Sequence, residues 1–221
     1  QSAGGWLNMD GRVIAIGDVH GCCFALEKLL EWICPQSEDT LVLLGDYVNR
    51  GPNGPGVLDR LIQLQRECHL VALLGNHDEM VREEMRLHFL ERPEADAYHL
   101  GEEVYTVAHH QFFEGCVAFH ETETHLFMHA SYDPELPMCN QDPEVLIWQR
   151  HRKKWPPAHQ SGKTVVVGHT PQRDGEILDL GHVICLDTYC WGGGWLTGFD
   201  VQSRQSWQVD RDGRQRVPSL S

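Results

Sequence analysis

Between Arg12 and Asp78 the chain reads Gly17-Asp18-Val19-His20-Gly21, then Gly45-Asp46-Tyr47-Val48-Asn49-Arg50-Gly51, then Gly75-Asn76-His77-Asp78, each directly after a short apolar run. Those runs, Val13 to Ile16, Leu41 to Leu44 and Leu70 to Leu74, are β-branched or leucine-rich and too brief for helices. Three buried strands are predicted. Glycine at the end of each strand lets the backbone turn and come close to a ligand. Carboxylate, imidazole and carboxamide groups then converge at one edge of a sheet.

Working outward, Ala25, Leu26, Leu29, Leu30 and Trp32 to Ile33 fall at helical spacing before Pro35, and Val57, Leu58, Leu61, Ile62 and Leu64 form a second apolar stripe. This βαβαβ order predicts a parallel sheet with right-handed crossovers, whose ligands gather at the carboxyl ends of the strands. Residues 79–113 are charged and helix-prone, broken by Pro93 and Gly101, and carry His109-His110; they predict a helical insert that could act as a lid. A hairpin of Cys116 to His120 and Thr124 to Met128 ends at His129, and a helix runs from Pro143 to about Lys153. A strand at Thr164 to Val167 then leads into Gly168-His169-Thr170-Pro171. Further strands are predicted at Glu176 to Leu180, His182 to Asp187, Leu196 to Val201 and Ser206 to Val209, a β-rich half suited to a second sheet. One domain spanning 1–221 is expected, with a loose leader at 1–10 and a polar, frayed tail at 211–221.

The 221 residues hold 18 basic against 32 acidic side chains, a formal charge of −14. Such a surface repels nucleic acid and anionic membranes, so neither is an expected partner. An acidic protein that handles phosphate needs a local positive centre, which bound cations and a few arginines supply. None of the eight cysteines forms a Cys-x-x-Cys pair, and a chain of this size does not need disulfide staples. Reduced thiols in a cytoplasmic protein are expected. No run approaches the roughly 18 apolar residues of a membrane helix, and Gln1 to Gly5 has no signal-peptide character.

Asp18, His20, Asp46, Asn76, His129 and His169 each stand at the end of a predicted strand. Singly, such an aspartate is more often a helix N-cap, an asparagine a turn residue, and a histidine a packed or surface group. Those readings do not explain why one pattern recurs in five segments. Oxygen and neutral nitrogen ligands without thiolate suit Mn²⁺, Fe²⁺ or Zn²⁺. Six ligands exceed what one ion usually takes from protein, and a pair of ions about 3.5–4 Å apart, bridged by one carboxylate, polarises a phosphoryl group and activates water.

In this order, Gly-Asp-Val-His-Gly, Gly-Asp-Tyr-Val-Asn-Arg-Gly, Gly-Asn-His-Asp, Met128-His129-Ala130 and Gly168-His169-Thr170-Pro171 closely resemble the metal-dependent phosphoprotein phosphatases of the calcineurin-like superfamily, in their compact bacterial and bacteriophage form. The resemblance runs from about Arg12 to Asp200. It implies an α/β fold: a four-layer metallophosphatase sandwich of two mixed β-sheets packed face to face and flanked by helices. It further implies two divalent ions, Mn²⁺ foremost and Fe or Zn as alternatives. By the resemblance Asp18 and His20 hold the first ion, Asp46 bridges, and Asn76, His129 and His169 hold the second. His77 becomes the general acid, a role worth on the order of 10²–10⁴ in rate. Arg50 holds phosphate oxygens, and Trp148-Gln149-Arg150 resembles the family's Trp-Asn-Arg, which makes Arg150 a second phosphate clamp.

Asn49 departs from the family pattern, which has an aspartate that stabilises the catalytic histidine as an imidazolium. An amide cannot neutralise that cation, so His77 should hold its proton less firmly. Ser131, where the family has glycine, is a smaller departure. The activity implied is hydrolysis of a phosphomonoester, foremost phosphoserine or phosphothreonine in proteins, by in-line attack of a hydroxide activated by two metals, in a monomer. A symmetrical dinucleoside polyphosphate hydrolase is the enzymatic alternative, although such enzymes commonly carry other residues at Asn49-Arg50 and His77-Asp78-Glu79. A catalytically weakened phosphate-binding module is the alternative of another kind.

Overall fold

The computed structural model describes residues 11–151 and 154–218; the leader at 1–10, Lys153 at the predicted helix end and the last residues of the tail lie outside them. Alternation within very short strands decides the layering. In β1 (Val13–Ile16) and β2 (Thr40–Leu43), Ile14, Ile16, Leu41 and Leu43 face a helical layer, while Ala15 and Val42 face a second sheet. β1, β2 and β3 (His69–Ala72) pair in parallel, joined by α1 (Cys23–Ile33) and α2 (Gly54–Leu64). The helices bury the predicted stripes, Leu26, Leu29 and Ile33 on α1 and Val57, Leu58 and Leu61 on α2. The strand ends are therefore packed from both faces.

Residues 79–113 depart from an all-helical insert. α3 (Asn76–Glu91) begins at the third glycine-marked loop itself, and a hairpin of β4 (Ala97–Leu100) and β5 (Glu103–Thr106) precedes α4 (Val107–Glu114). Gly101, at φ +62°, makes the hairpin turn, and Tyr105 is fully buried. The segment packs on α2 through Gly54 N donating to Glu103 Oε1 at 2.7 Å and a contact of 2.9 Å between His109 Nε2 and Asp59 Oδ1. It braces the helical layer and does not form the predicted lid.

The second half supplies β6 (Phe119–Glu121), β7 (His125–Met128), α5 (Pro143–Trp148), β8 (Thr164–Val167), β9 (Leu178–Asp179) and β10 (Val183–Cys185). Next come β11 (Leu196–Asp200), β12 (Ser206–Val209) and β13 (Gln215–Arg216). One mixed sheet runs β13-β12-β11-β1-β2-β3, the other β6-β7-β8-β10-β9. Phe127, Val166 and Ile184 meet Ala15, Val42 and Phe199 between them, while Met128, Val167 and Cys185 turn outward to Leu146 and Ile147 of α5. The result is the α/β sandwich with helix, sheet, sheet and a thin outer helical layer. Phe127 is wholly buried in the central seam, so its truncation to alanine costs about 3–5 kcal/mol.

Several boundaries differ from the sequence reading, β6 and β9 among them, and two of the differences matter most. α5 stops at Trp148, where Gln149 takes an extended backbone at φ −75°, ψ 115°, so Arg150 sits on a loop. The tail beyond Asp210 does not begin to fray there: the Asp210 carboxylate accepts from Asp212 N at 3.0 Å and Arg214 N at 2.8 Å, and β13 pairs with β12.

Candidate active site

The loops after β1, β2, β3, β7, β8 and β10 meet at one edge of the sandwich, four of them in a backbone conformation side chains rarely adopt. Eight non-glycine residues among those described have positive φ, and six of them, His20, Asp46, Asn49, Arg50, His169 and Tyr189, stand here. Each costs on the order of 1–3 kcal/mol, which the surrounding hydrogen bonds must offset. Glycine makes the loops fit. A Cβ on Gly75 would lie 2.2 Å from Asp46 N, and one on Gly168 2.0 Å from Asp18 Oδ1.

Asp46 is central. Its Oδ2 lies 3.3 Å from His20 Nε2 and its Oδ1 3.4 Å from His129 Nε2, and Oδ1 also accepts from His77 N at 2.9 Å. His129 Nε2 in turn lies 3.3 Å from Asn76 Oδ1 and 3.0 Å from His169 Nδ1. Potential ligand atoms therefore fall into two groups that share Asp46: His20, Asp46 and His77, and Asp46, His129 and His169. Asp18 sits beside the first group, 3.9 Å from His20 Nε2, with both carboxylate oxygens accepting from His169 N at 3.1 Å. All six residues singled out as metal ligands are brought together. His77, singled out as an acid, has a ring nitrogen within 4.8 Å of ligand atoms of His20 and Asp46.

The ring orientations suit cation binding. His20 Nδ1 donates to Val48 O at 3.1 Å and His129 Nδ1 to Leu44 O at 2.7 Å, which leaves each Nε2 as the lone-pair nitrogen. His169 Nε2 is buried with no partner among the described residues. Burial pushes His20 to about 3, His129 to about 4 and His169 to about 2, so all three rings are neutral. Burial pushes the carboxyls the other way, Asp46, Asp78 and Asp187 to about 7 and Asp18 well above its usual range, with Coulomb repulsion among them adding to this for Asp18, Asp78 and Asp187. Crowded buried carboxylates facing neutral imidazoles, with no thiolate, fit a divalent cation centre.

Around it lies a cavity of about 90 Å³ bordered by Arg50, Arg150 and Arg173. Arg50 donates to His77 Nε2 from Nη2 at 3.0 Å and lies over the Trp191 ring at 4.6 Å. The Asn49 carboxamide lies 3.2 Å from His77 Nδ1. Arg150 is carried to the rim by its loop, whose neighbour His151 contacts the buried Ser131 hydroxyl at 2.6 Å. The departure at Ser131 thus anchors the Arg150 loop.

Four residues escaped the sequence reading of the site. Asp78 accepts from Asp46 N at 2.7 Å, Tyr47 N at 2.8 Å and Gly75 N at 3.0 Å, tying the second loop to the third. Asp187 follows the apolar run of β10 and borders the cavity, the same pattern as Asp18 without a preceding glycine. Arg173 and Trp191 carry no local signal; their loops bring them in. Tyr189 borders the cavity, whereas Cys190 is buried in the core.

Fold and site define a metal-dependent phosphoester hydrolase. The profile of the calcineurin-like phosphoesterases matches residues 11–200, and the chain belongs to that family. A bis(5'-nucleosyl)-tetraphosphatase named asymmetrical, from Oceanobacillus iheyensis, is 25% identical over 227 residues, covering 88% of this chain and 90% of that protein. The symmetrical bis(5'-nucleosyl)-tetraphosphatase of Bordetella pertussis is 42% identical over 72 residues, 32% of this chain and 25% of that protein's length. A solved structure provisionally described as a diadenosine tetraphosphatase superposes with a TM-score of 0.70 at 24% identity, over 97% of this chain and 96% of that one. A cold-active protein-tyrosine phosphatase of Shewanella does so at 0.66 with 20% identity, over 95% and 80%. These two share the fold. No helix among the described residues is long and apolar enough to cross a membrane.

Proposed function

We propose that the protein hydrolyses the polyphosphate bridge of a dinucleoside tetraphosphate, with Asp18, His20, Asp46, Asn76, His129 and His169 holding two divalent ions, Mn²⁺ foremost. Such ions supply positive charge to the phosphoryl oxygens and activate water for in-line attack. Arg50, Arg150 and Arg173 receive non-reacting oxygens of the polyphosphate, each as a planar fork. As water adds to one phosphorus, the bridging P–O bond breaks and the neighbouring phosphate leaves.

The observation that carries this reading is Asn49 against His77. His77 is pushed down to about 4, first by burial and then by Arg50, His129 and Arg150, and an amide offers no charge to oppose them. A ring that holds its proton so weakly is a poor donor to a departing serine alkoxide, a strong base. A departing phosphate, with a pKa of about 6, leaves without that help. The names of the relatives support the same substrate class. A phosphomonoester, the activity first implied by the motifs, remains the second reading because the innermost cavity has room for a single phosphoryl group.

Incubation with diadenosine tetraphosphate and, separately, a phosphoserine peptide decides between them. The expected result is asymmetric turnover of the tetraphosphate to AMP and ATP, in keeping with the name of the relative aligned over 90% of its length, with slower peptide dephosphorylation. Peptide turnover with an intact tetraphosphate would overturn it.

A further inference from the structure

A second, larger cavity of about 620 Å³ opens beside the catalytic one, and Arg50 and Trp191 line both. Its size is that of a small-molecule site. The far wall is built from Phe24 at the start of α1 and from Arg211 and Asp212 in the turn between β12 and β13. This is the part of the tail the sequence reading set aside.

The wall is structured. Phe24 is 49% exposed, yet its ring is seated: a Cβ on Gly213 would lie 2.8 Å from its edge, and Lys28 Nζ stands 5.7 Å above its face. Trp191, which lines the same cleft, is held by the Arg50 guanidinium at 4.6 Å and by an edge contact with Tyr189 at 4.8 Å. Arg211 is exposed and makes no salt bridge among the described residues, whereas Asp212 pairs with Arg214 at 3.2 Å. Two aromatic side chains, a carboxylate and an uncommitted guanidinium thus line a space shared with the arginine beside the reaction centre.

We propose that this cleft binds one nucleoside of the substrate. The base stacks on Phe24 and Trp191, Asp212 accepts from ribose hydroxyls, and Arg211 and Arg50 track the phosphates toward the metal ligands. A nucleotide fits this chemistry better than a peptide does, because one cleft gathers two aromatic rings and two arginines, one of which also borders the site. The inference rests on the dinucleoside reading and names where that substrate's nucleoside sits.

The test compares Phe24→Ala, Phe24→Trp and Arg211→Ala with the parent protein, using diadenosine tetraphosphate and p-nitrophenyl phosphate, which has no nucleoside. The expected result is a rise of roughly tenfold in KM for the tetraphosphate with Phe24→Ala and Arg211→Ala, recovery with Phe24→Trp, and unchanged hydrolysis of p-nitrophenyl phosphate. Equal effects on the two substrates, or none, overturn the cleft assignment while the functional reading stands. If the parent protein leaves the tetraphosphate intact, the functional reading fails, and AMP inhibition of p-nitrophenyl phosphate hydrolysis decides the cleft. Competitive inhibition weakened by Phe24→Ala upholds it, and no inhibition, or inhibition indifferent to Phe24, overturns it.

Discussion

Asn49 separates the two readings of this site by leaving group. Replacing it with aspartate puts a carboxylate beside His77 Nδ1, 3.2 Å from the present amide, and should raise the ring's pKa from about 4. Asn49→Asp is expected to raise kcat about tenfold on a phosphoserine peptide and less than about twofold on the tetraphosphate, as one added pKa unit multiplies the protonated fraction of a weak acid tenfold. Activity that depends on protonated His77 should also extend to higher pH. Steady-state rates on both substrates across pH check this, and equal gains on the two would contradict it. Asp78 makes the complementary case. Its carboxylate receives three backbone N–H groups, and asparagine, with one acceptor oxygen, leaves at least one unpaired. Asp78→Asn should cost about 1–3 kcal/mol of stability and lower kcat on the order of tenfold or more, read by denaturant titration and turnover. Asp46 and His169 were legible in the sequence because each ends an apolar run at a glycine; Arg173 was not, because nothing local marks a loop arginine that tertiary folding brings to a cavity.

Among the elements, the first βαβ unit is locked by one ion pair. Asp39, just before β2, accepts from Arg12 N and Gln36 N at 2.9 Å each and pairs with the Arg12 guanidinium, which also donates to Ile33 O and Cys34 O at the end of α1. Burial alone would raise the Asp39 carboxyl, but these hydrogen bonds outweigh it and hold its pKa below the usual 3.8. A lowered native pKa contributes stability above the unfolded value, and that stability is lost as pH falls through the native one. Asp39→Ala should therefore cost about 2 kcal/mol at pH 7, and the difference from the parent should shrink below about pH 3.8, as followed by urea midpoints. A constant difference down to pH 2 would be the contrary result. Strands and helices of this unit were readable because period 2 and period 3.6 alternate cleanly. The β4–β5 hairpin was not, since its pattern of Tyr98, Leu100 and Tyr105 is too short to stand out from charged helical neighbours.

At the scale of the whole molecule, two sheets face each other so that strand ends from both halves of the chain supply one acidic, histidine-lined centre. The paired sheets could be anticipated from βαβαβ followed by strands alone, but the registers that bring Asp46 within 3.4 Å of His129 come from packing between residues distant in sequence. Metal removal by a chelator should abolish turnover and lower Tm by several degrees, because a ligand bound only to the folded state adds to its stability and because Asp18, Asp46 and Asp187 then repel one another uncompensated. The central claim is that two cations share Asp46. The anomalous difference map of a crystal soaked in Mn²⁺ tests it most directly. Two peaks are predicted, one on each side of the Asp46 carboxylate, the first against His20 and Asp18 and the second against Asn76, His129 and His169; a lone peak, or peaks that do not touch Asp46, would contradict it.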